Sequence, residues 1–146
     1  MSLKDPVRKM SKSDADPHSR ILLTDTREDI QKKIRMALTD SELSITYDPI
    51  RRPGVSNLIE ILSHIDPDGR SCHEVAMSFE SIGIRALKDH VATALGDSLE
   101  AIRERYFDIM GKDSNYLEDI AEKGALQARA HADATMQSVK SAMGLL

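Results

Sequence analysis

Apolar residues recur every three or four positions over most of this chain, a spacing that predicts helices rather than strands. From about Ile84 to Met110, the positions Ile84, Leu87, Val91, Leu95, Leu99, Ile102, Tyr106 and Ile109 mark one side of a long amphipathic helix, stopped near Gly111. A second stripe, Leu117, Ile120, Gly124, Ala128, Ala132, Met136, Val139 and Met143, predicts a last helix from about Tyr116 to Met143. Gly124 and Ala125 on it would let a neighbouring helix come close, at some cost in helix propensity. Ile30, Ile34 and Leu38 predict a shorter helix from about Thr26 to Thr39, with Asp25 placed to cap it and Glu28 to reach back. Ser56 is the expected cap of a helix burying Leu58, Ile59, Leu62 and Ile65. Ser71 and Glu74 form a capping-box pattern that opens a short helix through Val75 and Phe79. Tyr47-Asp48-Pro49 through Pro53-Gly54, and Asp66-Pro67-Asp68-Gly69, carry turn chemistry. Arg20-Ile21-Leu22-Leu23-Thr24 reads as either a brief strand or an extended lead-in. Two long antiparallel helices with two or three shorter ones make a mainly α bundle, with the stripes as its core.

Composition agrees with helices. The 146 residues are 40% apolar, yet Trp is absent and aromatic residues are scarce, so Ala, Leu, Ile and Met must fill the interior. The single cysteine, Cys72, excludes an internal disulfide framework and fits a reducing compartment. No apolar run is long enough to span a bilayer and no signal peptide is visible, so no membrane partner is expected. The start, with Asp5, Lys9, Lys12, Asp14 and Asp16, lacks the Arg-rich, acid-poor character of a transit peptide. If the protein is organellar, its targeting segment is missing from this chain.

Charge is uneven along the chain. Residues 1–53 carry 11 Lys/Arg against 9 Asp/Glu, net +2, and residues 54–146 carry 9 against 15, net −6. An acidic helical half argues against non-specific nucleic-acid binding, which depends on neutralising phosphates. It leaves open the reading of unstacked bases in a folded RNA, where edge contacts and stacking carry the specificity.

The candidate chemistry sits near the start, in Lys9-Met10-Ser11-Lys12-Ser13. Two ammonium groups lie three positions apart with hydroxyls beside them, and no helical periodicity runs from Pro6 to Pro17, so they lie on a loop. Lysine is a compact charge on a long stem, suited to a phosphate that moves during reaction. On spacing alone the run reads first as a disordered, solvated tail; such a loop could also close on a triphosphate as pyrophosphate leaves. Other candidates carry less. His18, His64, His73, His90 and His131 are scattered without metal-ligand spacing, so no metal site is assigned. Cys72 and His73 are adjacent and would point apart on a helix. No glycine-rich phosphate loop exists, and Arg51-Arg52 on a Pro-rich turn reads as a solvated pair.

Lys9 to Ser13 resembles the second signature of class I aminoacyl-tRNA synthetases in its full form. Met1-Ser2-Leu3-Lys4-Asp5-Pro6 before it and Asp14 after it look like the tryptophanyl branch. The likeness continues through Ala37-Leu38-Thr39-Asp40-Ser41-Glu42, Thr46-Tyr47-Asp48-Pro49 and Arg52-Pro53-Gly54-Val55-Ser56-Asn57-Leu58, a middle segment specific to that branch. Ile102-Arg103-Glu104-Arg105-Tyr106, Gly124-Ala125 with Ala128, and Ala142-Met143-Gly144-Leu145 resemble later stretches. At Ile84-Arg85-Ala86-Leu87-Lys88 the chain departs from the commonest bacterial pattern, a Tyr-Gly pair before Phe-Lys, which hints at a mitochondrial branch.

The resemblance implies ATP- and Mg2+-dependent activation of tryptophan as an enzyme-bound adenylate, followed by transfer to tRNA(Trp). Lys9 and Lys12 match the signature lysines that hold the ATP phosphates and stabilise the pyrophosphate-leaving transition state. Met10, Ser11 and Ser13 complete the ATP-binding loop. Residues 1–24 would end a Rossmann-type catalytic domain, with one short strand, and residues 25–146 would form the α-helical anticodon-recognition domain. The nucleotide-binding sheet, the His-containing first signature and the tryptophan pocket precede this loop in the family, so the chain resembles a carboxy-terminal portion, inactive alone. Tryptophan would bind only in the full-length enzyme, expected as a homodimer in the mitochondrial matrix or, alternatively, bacterial cytoplasm. A competing reading is a non-catalytic helical module that binds a protein or self-associates. Another synthetase specificity sharing the lysine loop is disfavoured by the middle segment.

Overall fold

Five α-helices form among the residues that the computed structural model describes, 1–112 and 114–145: α1 (Arg27–Arg35), α2 (Pro53–Ile65), α3 (Cys72–Ser78), α4 (Ile84–Met110) and α5 (Ser114–Ala142). No strand occurs among the described residues. The Arg20–Thr24 run is therefore a lead-in, which corrects the strand alternative. Its backbone groups are used locally: Asp25 N donates to Leu22 O at 3.1 Å, and Leu22 N donates to the Asp25 carboxylate at 2.8 Å. A turn closed in this way leaves no ladder to extend.

The chain divides into two compact units, Met1–Tyr106 and Phe107–Leu146. In the first, the aliphatic faces of α1 to α4 meet. Ile30, Ile34, Val55, Leu58, Ile59, Val75, Leu87 and Val91 are all fully buried, joined by Leu3 and Ile45 from the connecting segments. α3 packs on α2, and its capping box forms as expected, with Ser71 Oγ accepting from Glu74 N and the Glu74 carboxylate accepting from Ser71 N.

Two helix starts differ from expectation. α1 is capped by Thr26 with Asp29, one residue later than the Asp25–Glu28 pair. Asp25 is unavailable because its carboxylate is turned inward to Leu22 N and to the Lys33 ammonium, 2.5 Å away. α2 begins at Pro53, whose ring suits a first helical position, so Ser56 lies inside the helix and accepts from Asp48 N at 3.0 Å. α1 also ends early, at Arg35. Leu38 N leaves the helix to donate to Leu3 O at 2.7 Å, and Lys88 Nζ satisfies Arg35 O and Ala37 O.

Gly54, in the first turn of α2, packs directly against the backbone at Leu38 and Thr39. A Cβ there would lie 2.2 Å from Leu38 O, so only glycine fits.

In the second unit α5 ends on Gly144, whose φ of 68° allows Leu145 N to reach Lys140 O and Gly144 N to reach Ser141 O. The expected core stripe on α5 is not core. Leu117, Ile120, Met136 and Val139 are 42–51% exposed, and a Cβ at Gly124 would meet nothing within 4 Å. A stripe specifies which face is apolar; covering it requires an opposing surface, which the described residues do not provide here.

Candidate functional site: the lysine–serine loop

Lys9 to Ser13 follow no helix, as their sequence requires, and the loop is held at both ends. On the near side, Leu3 is buried and donates its N–H to Ser19 O at 2.9 Å, while Ser2 N donates to Arg8 O at 2.7 Å. On the far side, a single 3₁₀ turn, Pro17–Ser19, is capped by Asp16, whose carboxylate accepts from His18 N at 2.8 Å. That backbone donor, more than the imidazole beside it, holds the Asp16 carboxyl below the ordinary range. Arg20 Nη1 reaches Asp14 O at 2.9 Å, tying the descending limb back.

Within the loop the residues divide by role. Met10 is half-buried and packs against the core. Ser11 Oγ and Ser13 Oγ lie 3.1 Å apart and support each other. Lys9 and Lys12 are exposed, and neither ammonium holds an ion pair or hydrogen bond among the described residues. Met10, Ser11 and Lys12 line a cleft of about 290 Å³ with Arg20, Ile21, Leu22 and Leu23; Lys9 and Ser13 lie outside its lining. The loop thus joins an apolar anchor, two paired hydroxyls and two ammonium groups that no carboxylate among the described residues pairs with. Such an arrangement can accept an anion of several oxygens.

The cleft floor is itself fixed from below. Asp25, 8% exposed, accepts from Leu22 N and from Lys33 through its side chain, and its carbonyl accepts from Arg103 Nη1 at 3.0 Å. The residues after the loop are therefore tied to α1 by the buried Asp25 carboxylate and to α4 by the carbonyl of the same residue. Sequence inspection assigned Asp25 only to capping; its contact with Arg103 lies 78 positions away and leaves no local signal.

Arg52 corrects another expectation. It is 1% exposed rather than solvated, and its guanidinium grips the Asp40 carboxylate through Nε (3.0 Å) and Nη2 (2.7 Å). Nη1 donates to Ser44 O and Thr46 Oγ1, so this one side chain organises Asp40 to Thr46 against the start of α2. The paired charges stabilise each other, lowering the Asp40 carboxyl and raising Arg52. Arg51 remains on the surface, paired with Glu42 at 2.6 Å. Cys72 and His73 form no pair: His73 stacks edge-on to Tyr47 with centroids 5.2 Å apart. The Tyr47 hydroxyl donates to Glu60, which, with burial, pushes its pKa up to about 12.

An exposed lysine–serine loop joined to this helical frame points to a class. Residues 1–100 match the family described as tRNA synthetases class I (W and Y), and the chain belongs to that family. Within it, the similarity runs to the tryptophan enzymes. The chain is 40% identical over 146 residues to the tryptophan–tRNA ligase of Caldanaerobacter subterraneus subsp. tengcongensis, and 36% identical over 146 residues to that of Rickettsia conorii. Each alignment covers 100% of this chain and 43% of the relative. The crystal structure of tryptophanyl-tRNA synthetase from Mycoplasma pneumoniae superposes with a TM-score of 0.81 at 29% identity, covering 100% of this chain and 43% of that one. The chain therefore spans less than half the length of these relatives.

Proposed function

We propose that this chain is the carboxy-terminal part of a tryptophan–tRNA ligase. In this reading residues 1–24 close the catalytic domain and residues 25–146 recognise tRNA(Trp). The observation that carries it is the pair of unpartnered ammonium groups, Lys9 and Lys12, on a loop anchored at both ends. ATP enters with its Mg2+ as substrate. Lys9 and Lys12 bind the phosphates and follow the negative charge as it moves onto the departing pyrophosphate, while Ser11 and Ser13 hold the loop's shape. Met10, seated against the core, keeps Lys12 at the cleft. The complete enzyme acts as a homodimer. Of mitochondrial matrix and bacterial cytoplasm, the bacterial relatives support the second.

Tryptophan-dependent pyrophosphate exchange tests this directly. The 146-residue chain alone is expected to be silent. A chimera in which it replaces the matching part of the Caldanaerobacter ligase is expected to be active. Turnover by the isolated chain, or a folded but dead chimera, contradicts the proposal.

The exposed stripe of α5, with Leu117, Ile120, Met136 and Val139, favours one second reading, a self-associating helical module. Concentration-dependent association of the chain in sedimentation, together with failure to bind tRNA, would select it.

A further inference from the structure

Cationic side chains gather where α1 ends and α4 begins. Arg35, Arg85 and Lys88, with Ile84, line a cleft of about 340 Å³. Lys88 Nζ donates to Ala37 O at 2.7 Å and Arg35 O at 3.2 Å, and Lys4 Nζ donates to Met36 O at 3.1 Å, so two ammonium groups share the end of α1. Burial, and then repulsion from Lys4, holds Lys88 below the ordinary lysine range. One carboxylate enters this group: Asp89 accepts from Arg35 Nε at 3.2 Å. Arg85 is exposed and holds no ion pair or hydrogen bond among the described residues. The first turn of α4 beside it contains no acidic residue. In a chain of net charge −4, this is a concentrated positive surface.

Lys88 and Lys4 are fixed as point charges by the carbonyls they cap. Arg35 is half-neutralised. Arg85 alone keeps a free guanidinium fork, whose geometry matches two oxygens of one phosphate. A protein carboxylate is the alternative anion, but a polyanionic strand best rewards several cations around one open cleft.

We propose that the Arg35–Arg85–Lys88 cleft docks a backbone phosphate of the RNA, with Arg85 making the contact and Lys88 and Arg35 supplying the field. This rests on the tRNA reading above. Such a contact sets the position of the helical unit on the RNA and adds affinity without reading sequence.

The test is binding of fluorescently labelled tRNA(Trp) transcript to the 146-residue chain over a series of salt concentrations, beside a transcript with altered anticodon bases. Arg85→Gln is expected to weaken both transcripts by the same factor. It should also reduce the slope of log affinity against log salt by about 0.7–0.9, one phosphate's worth. Arg85→Lys should keep most of the slope. A wild-type slope in Arg85→Gln, or a loss confined to one anticodon, overturns the cleft while leaving the tRNA reading intact. Absence of binding by the unsubstituted chain overturns both.

Discussion

The two units of this molecule carry the same sequence signal and opposite outcomes. In Met1–Tyr106 the three- and four-residue spacing places Ile30, Ile34, Leu58, Leu87 and Val91 in a core at 0% exposure, and only towards the end of α4 does the expected stripe emerge, at Ile102, 49% exposed. In Phe107–Leu146 an equally regular stripe leaves Ile120 at 51% and Met136 at 49%. Periodicity identifies an apolar face; burial depends on whether another surface meets it. The short helices of the first unit are folded onto one another by side-chain anchors, chiefly Arg52, Asp25 and Lys88.

Paired substitutions sharpen that contrast. Arg52→Ala leaves Asp40 without its bidentate partner and is expected to cost about 3 kcal/mol or more, whereas Arg51→Ala should fall within about 0.5 kcal/mol, both by urea denaturation. Comparable losses at the two arginines would mean that Arg52 is not the anchor of the middle segment. Leu58→Ala should cost about 2–5 kcal/mol by the same measurement, against less than about 0.5 for Ile120→Ala. A large effect at Ile120 would show that α5 is covered in solution.

Glycines offer a third pair of opposite sign. Gly54→Ala drives a methyl group onto Leu38 O and should cost about 1–3 kcal/mol. Gly124→Ala meets open space and should raise helicity by circular dichroism, gaining about 0.5–1 kcal/mol in local helix stability. Loss of helicity at Gly124 would place a close neighbour there after all.

The smallest effect concerns pH. The Arg70 guanidinium, 2.6 Å from the almost fully buried Asp66 carboxylate, lowers the latter's pKa to about 2 from 3.8. Because the folded value lies below the unfolded one, the pair contributes fully above about 3.8 and its contribution disappears as pH falls towards about 2. Asp66→Asn should flatten the acid limb of the stability curve over that interval, leaving less to lose.

Much of the fold was legible. The α4 limits, the Ser71–Glu74 box and the α2 and α3 core residues follow from spacing and capping chemistry visible within a few positions. What stayed hidden were long-range contacts. Asp25 reads as a cap until Lys33 and Arg103 are seen to claim it, and Arg52 reads as solvated until Asp40 meets it. The lysine loop was legible as residues, since its chemistry lies in adjacent side chains. Its anchoring was not, because Leu3 to Ser19 and Leu22 to Asp25 are backbone and buried-charge contacts without a sequence pattern.

The most direct test is single-turnover adenylate formation in the chimera carrying Lys12→Ala. The expected result is a rate at least about a hundredfold lower, as for loss of one charge-stabilising donor, with tryptophan affinity unchanged. An unchanged rate, or equal damage to tryptophan binding, would contradict the role given to these two lysines.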